Sequence, residues 1–247
     1  MKRMKTGIDE LDKMLEGGYP VPSIVLILGD SGSGKSIFAQ QFLWKGIKEG
    51  ENNLYISIDH SPSEIRESMS KFGWNYNKKD LNILDCYSER LGFAHGGNKY
   101  VENPYNLNNL YRVISESIEN SENQRNTRLV LDSASTLIMR TDFNTIYRFF
   151  QKFAGYLMSK DAVGLITLHK GMHNSYIENS MRQICNGVLH LMREWEEYAM
   201  TLSLLLKKTW KSRQIRRYIW IDRMHATKHT TEVYSFSIDD HGIKIIR

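Results

Sequence analysis

Up to Gly187 the apolar positions follow two rhythms in alternation: short unbroken runs, and stripes at helical spacing. The runs Ile24–Leu28, Leu54–Ile58, Leu81–Cys86, Arg128–Asp132 and Val163–Leu168 suit buried parallel strands. Between them lie helical stripes. In residues 37–47, Ile37, Gln40, Gln41 and Trp44 mark one face and Phe38, Phe42 and Ile47 another, and Gly50 stops the helix. Ser61-Pro-Ser-Glu64 opens the next helix, which runs to Phe72-Gly73, with Ser61 as N-cap, Pro62 at the first position and Glu64 closing a capping box. Leu107, Leu110, Val113, Ile114 and Ile118 predict a further helix. Thr141 to Ser159 carries Ile146, Phe149, Phe150, Phe153 and Leu157, a stripe for core or subunit packing. Near the N-terminus Ile8, Leu11, Met14 and Leu15 predict a short amphipathic helix against the sheet edge, ended by Gly17-Gly18.

After Gly187 the rhythm changes to period two. Residues 188–191, 201–206, 217–221, 233–238 and 243–246 read as antiparallel strands extending the parallel core. Residues 88–105 follow neither period and predict a long loop, functional or disordered. The expected architecture is a single α/β domain over 1–247: a mostly parallel sheet flanked by helices, a helical segment at 1–20 and a β-rich portion at 187–247.

Composition adds limits. At 41% hydrophobic, the 247-residue chain can build one large core. The apolar runs are too short for a membrane span and no basic-apolar leader opens the chain, so a cytoplasmic protein with no membrane partner is expected. Cys86 and Cys185 lack metal or redox spacing and read as buried thiols. A net charge of +5 is compatible with an anionic partner without demanding one.

Chemistry concentrates after the first run, in Gly29-Asp-Ser-Gly-Ser-Gly-Lys35-Ser36, which fits the phosphate-loop pattern G-x-x-x-x-G-K-[ST]. Gly32 and Gly34 permit the tight turns that aim successive N–H groups at one anion. Lys35 is placed to reach the β- and γ-phosphates, and the Ser36 hydroxyl to ligate Mg²⁺. The predicted nucleotide-binding residues are Gly29, Asp30, Ser31, Gly32, Ser33, Gly34, Lys35, Ser36 and Ile37. A chance Gly/Ser turn would not also have a strand before it and a helix after it. Asp132, ending an apolar strand about a hundred residues later, is the expected carboxylate of the Mg²⁺ site opposite Ser36. Asp59-His60 and His169 also end strands, the edge where α/β sheets place ligands. His169 and His173 lack a third ligand and do not read as a metal site. In Lys207–Tyr218, the cations Lys207, Lys208, Lys211, Arg213, Arg216 and Arg217 interleave with Trp210 and Tyr218. This stretch, a predicted hairpin tip, could grip a nucleic-acid backbone and stack a base, or simply be a solvated tip kept from edge pairing.

Taken together, these residues resemble the KaiC-like branch of the RecA superfamily, including its single-domain archaeal members and RadA paralogues. The resemblance spans nearly the whole chain: Thr6-Gly-Ile-x-x-Leu-Asp-x-x-Leu-x-Gly-Gly-x-Pro20, Tyr55-Ile-Ser, Phe72-Gly-Trp74, Leu131-Asp-Ser133, Arg223-Met-His-Ala-Thr-Lys-His229 and Phe236-Ser-Ile-x-x-x-Gly242-Ile. It implies a RecA-like core, ATP with Mg²⁺, and a ring or filament of identical chains, a hexamer being the expected ring, with ATP between subunits. Arg223 and His225 occupy the positions from which such a family reaches a neighbour's γ-phosphate, and His169 the sensor position. Asp59-His60 stands where the family usually has Glu-Glu, so Asp59 is the candidate base, one methylene short, with Lys35 and His60 beside it as candidate catalytic groups. Slow hydrolysis follows as an expectation. A regulator linked to DNA recombination, with single-stranded DNA or a recombinase as partner, is one implied role. The alternative is an ATP-gated oligomeric binding module with little or no hydrolysis, and a small-molecule phosphotransferase fits the β-rich end poorly.

Overall fold

A computed structural model describes residues 1–88, 99–121, 126–195 and 215–246. The strand expected at 201–206 and the basic residues Lys207, Lys208, Trp210, Lys211 and Arg213 lie outside the described residues.

The chain begins with strand β1 (Arg3–Met4), helix α1 (Asp9–Met14) and strand β2 (Tyr19–Pro20), β1 and β2 forming a small antiparallel sheet. Then come β3 (Ser23–Gly29), α2 (Lys35–Glu49), β4 (Asn52–Ser57), α3 (Pro62–Ser70), β5 (Asn82–Asp85), β6 (Lys99–Tyr100), α4 (Leu107–Glu119) and β7 (Thr127–Asp132). The second half holds α5 (Ala134–Arg140), α6 (Phe143–Met158), β8 (Ala162–His169), α7 (Ser175–Ile184), β9 (Gly187–Trp195), β10 (Ile215–Met224), β11 (Tyr234–Asp239) and β12 (Gly242–Ile246). The main sheet has the order β12-β11-β10-β9-β3-β8-β7-β4-β5-β6. From β6 to β9 every pairing is parallel; β10, β11 and β12 continue antiparallel. The expected α/β architecture is therefore present, with one correction: residues 188–191, read as an antiparallel extension, lie in β9, which pairs parallel with β3 and so closes the parallel core. One short strand was not legible: Lys99–Tyr100, inside the aperiodic stretch, pairs with Leu84 and Asp85. Two residues cannot establish a period.

Helices cover both faces, which is why the central strands read as unbroken apolar runs. In β3, Val25 and Ile27 pack with Phe38 and Phe42 of α2 and Ile65 and Met69 of α3. Ile24, Leu26 and Leu28 pack on the opposite face with Leu110 and Ile114 of α4 and Phe150 and Phe153 of α6. Helix α3 starts as expected: Ser61 Oγ accepts from the Glu64 N–H while Glu64 Oε2 accepts from the Ser61 N–H.

Two buried polar anchors hold α2 in place. Gln41 donates to Gly7 O and Ile243 O and accepts from the Ile243 N–H, tying α2 to the N-terminal turn and the last hairpin. Arg128, fully buried in β7, pairs with Glu49 and Glu51 at the far end of α2 and lies over the Phe42 ring. Burying a guanidinium is costly unless it is paired. Here the pairing and the Lys5 and Phe42 carbonyls use its donors.

Candidate nucleotide site

Parallel strands bring their C-terminal ends to one edge, and the register aligns the functional residues there. Gly29 of β3 lies opposite His169 of β8, and Ser57 of β4 opposite Asp132 of β7. Asp59 follows Ser57 by two residues. Lys35, Ser36, Asp59, Asp132 and His169, distant in sequence, thus share one edge.

The loop from Gly29 to Ser36 is made by close approach and left-handed backbone. A Cβ on Gly29 would fall 2.1 Å from Leu191 O. Gly32 has φ +72° and Gly34 φ +103°, conformations that L side chains rarely adopt. Gly34 is the N-cap of α2, and it packs against Ile238 of β11. The helix therefore begins with its N–H groups aimed into the loop, the arrangement that holds phosphate. Ser31 and Gly32 are exposed at the tip, Asp30, Ser36 and Ile37 half-buried, and Ser33 buried beneath. Lys35 Nζ donates to Gly29 O at 2.8 Å and Asp30 O at 2.7 Å. Burial pulls its pKa down to about 8, against the opposing pull of Asp132 and Asp30.

Asp132 is nearly fully buried, and its carboxylate is aimed by two donors. Tyr55 Oη donates to Oδ2 at 2.6 Å and Thr167 Oγ1 to Oδ1 at 2.5 Å. Asp59 is half-buried, and its Oδ2 accepts from Ser133 Oγ at 2.7 Å. His60 is exposed and lines a cleft of about 440 Å³ between α2 and α3, beside Ser36, Gln40, Glu64 and Lys71. The His169 N–H donates to Ser135 Oγ. Its imidazole pKa is lowered, first by burial and then by the Lys35 charge, which leaves it neutral near pH 7. Among the described residues, no three His, Cys, Asp or Glu side chains cluster to hold a metal ion. Sequence reasoning missed the supporting donors Tyr55, Ser133 and Thr167; for Tyr55 and Thr167 a polar group inside an apolar strand was the available signal, whereas Ser133 lies just after β7.

A family model described as the KaiC ATPase matches residues 4–247. The chain belongs to the KaiC ATPase family. Its relatives include a UPF0273 protein of Methanopyrus kandleri, 28% identical over 254 residues that cover 99% of this chain and 92% of that protein. A UPF0273 protein of Pyrococcus furiosus is 27% identical, covering 98% of this chain and 93% of the relative. Among solved structures, a KaiC-like protein of Pyrococcus horikoshii superposes with a TM-score of 0.76 at 25% identity, over 100% of this chain and 99% of that one. No helix among the described residues is long and apolar enough to cross a membrane.

The remaining KaiC-like positions fall in two places. Arg223 and His225 are at the edge of the sheet opposite the phosphate loop. Arg223 pairs with Val188, whereas Ile219, at the middle of β10, pairs with Leu191, the residue beside Gly29. Arg223 donates to the carbonyls of Arg182 and Cys185 at the end of α7; His225 is exposed. Arg216 and Arg217 belong to β10 itself rather than to a hairpin tip. Arg216 faces Glu194, while Arg217 lies opposite Phe236 and Arg193 on the phosphate-loop side of the sheet.

Proposed function

We propose that this protein binds ATP with Mg²⁺ and hydrolyses it slowly, acting as a regulator whose copies assemble around the nucleotide. The observation that carries this reading is the convergence of Lys35, Ser36, Asp59 and Asp132 on one sheet edge, with Asp132 oriented by Tyr55 and Thr167.

The residues fit the metal. Ser36 Oγ and the pre-aimed Asp132 carboxylate would hold Mg²⁺, which when bound neutralises charge developing on the phosphates. Backbone N–H groups of residues 32–37 bind the phosphate oxygens, and Lys35 adds a positive charge at the β/γ end. Asp59 orients the attacking water. A carboxylate one methylene shorter than glutamate, and already held by Ser133, sits back from that position, which supports slow turnover. His169, at the end of β8 opposite Gly29, can hydrogen-bond beside the γ-phosphate.

Reach supports the proposed assembly. Arg223 lies six strand residues from Arg217, roughly 20 Å along β10. Arg223 and His225 can therefore serve a phosphate only on a second copy. Leaving the Arg182 and Cys185 carbonyls would be part of that contact.

A second reading, an ATP-held switch without turnover, is favoured by the Ser133 bond that occupies Asp59. The deciding experiment is ATP turnover with and without single-stranded DNA, beside Lys35→Ala and Asp59→Ala. A low rate that needs both residues supports the slow ATPase, and stimulation by DNA supports the recombination-linked role. Lys35-dependent binding with background turnover throughout supports the switch.

A further inference from the structure

Arg193 of β9 was not among the residues expected to bind nucleotide. Its guanidinium covers the middle of the phosphate loop: a Cβ on Gly32 would fall 2.6 Å from Arg193 Nη1 and 3.3 Å from Cζ. The cause is register. Leu191, two residues earlier, puts its carbonyl against Gly29, so Arg193 projects from the same face beside the loop tip. Across the antiparallel pair, Arg217 of β10 stands directly opposite, on the face that carries Leu191, Ile219 and Phe236. Like charges at directly opposed strand positions repel. Both side chains are half-buried, which weakens solvent screening, and Arg217 Nε is buried with no hydrogen-bond partner among the described residues. An anion held by the loop would be attracted by the guanidinium that lies over Gly32, and Arg217 across the strand pair adds to the positive charge there.

We propose that Arg193 is a nucleotide-binding residue acting within its own chain, contacting the α/β-phosphates held by the loop. This rests on the ATP reading above. The assignment to α and β follows from Gly32: the loop backbone cradles those phosphates, whereas Lys35 serves β and γ. A fork of donors fits phosphate oxygens better than a point charge does. Both phosphates are present in ATP and ADP, so Arg193 should strengthen the binding of both equally.

The test is titration calorimetry of the full chain with Mg-ATP and with Mg-ADP, for the parent protein, Arg193→Gln, Arg193→Lys and Lys35→Ala. Arg193→Gln is expected to weaken both nucleotides by the same factor, about tenfold to a hundredfold, as for a lost charge-assisted hydrogen bond. The parent affinity should also fall more steeply with added salt than that of Arg193→Gln, a difference that a purely structural role would not produce. Arg193→Lys, which keeps the charge and serves if the Gln variant does not fold, should lose about threefold to tenfold. Unchanged affinity in a folded variant of either kind overturns the inference, and a loss confined to ATP overturns the α/β assignment. If the parent protein shows no Lys35-dependent binding of either nucleotide, it is the ATP reading that fails.

Discussion

Ser133 Oγ donates a 2.7 Å hydrogen bond to Asp59 Oδ2, tying the residue after β7 to the tip of β4. The bond sets where the candidate base can point. Ser133→Ala, which frees the carboxylate to move forward, should raise kcat by up to about tenfold, the scale of a small misplacement, with little change in KM for ATP. Asp59→Glu, which moves the carboxylate forward by one methylene, should raise turnover above the parent rate. Steady-state kinetics on the two variants checks both. An Asp59→Glu variant slower than the parent would rule out carboxylate reach as the cause of the proposed slow hydrolysis.

Tyr55 and Thr167 give Asp132 its orientation from neighbouring strands. Outer-shell donors of this kind typically change metal affinity about 10–100-fold when removed. Tyr55→Phe should therefore raise the Mg²⁺ concentration needed for ATP turnover or tight ATP binding by that factor. Nucleotide binding measured without Mg²⁺ should be unaltered. Mg²⁺ titrations at fixed ATP separate the two.

Lys35 has a cost in the nucleotide-free fold. Its folded pKa, about 8, lies below the ordinary 10.5, so the unfolded chain holds the proton more tightly and the charged side chain disfavours folding. That penalty is full below pH 8 and disappears as pH rises from about 8 toward 10.5. Lys35→Met should thus stabilise the nucleotide-free protein at pH 7, by about 1–3 kcal/mol after allowing for the donors lost to Gly29 and Asp30. The same variant should lose ATP binding. Denaturant unfolding at pH 7 and pH 10 checks the sign, because the gain should be smaller at the higher pH.

His190 of β9 stacks on Trp220 at 4.4 Å between ring centres, and its pKa is pushed down to about 4. Burial is the main cause and the Arg182 charge adds to it, while Asp222 opposes. The neutral ring contributes stability that is fully present above the ordinary value of 6.5 and is lost as pH falls from there toward 4. The loss should reach about 2–3 kcal/mol. His190→Gln should flatten this part of the stability–pH curve, measured by denaturant midpoints between pH 4 and pH 7.

Where local chemistry carries the information, the chain could be read directly. The capping box at Ser61 and Glu64 and the left-handed glycines of the phosphate loop appear where their spacing placed them. Arg217 shows the opposite case. It looked like part of a basic tip, yet strand pairing turns it toward the nucleotide loop, opposite Arg193. No linear spacing connects residues 32, 193 and 217. Tyr55, Ser133 and Thr167 were hidden for a related reason, since each acts on a carboxylate that lies on another strand or turn.

By itself the sequence determined the alternation of strands and helices, the phosphate loop and the β-rich end after Gly187, because each depends on neighbours a few residues apart; that the first of those strands joins β3 in parallel was decided by pairing. Tertiary structure decided which side chains share a site. Parallel register set Gly29 beside His169 and Ser57 beside Asp132, while antiparallel register set Arg193 against Arg217 and left Arg223 at the far edge. The physical reason is that hydrogen-bonded register is chosen by the packing of whole faces. A shift by one residue would turn every buried side chain outward, and the chemistry moves with the core that pins it.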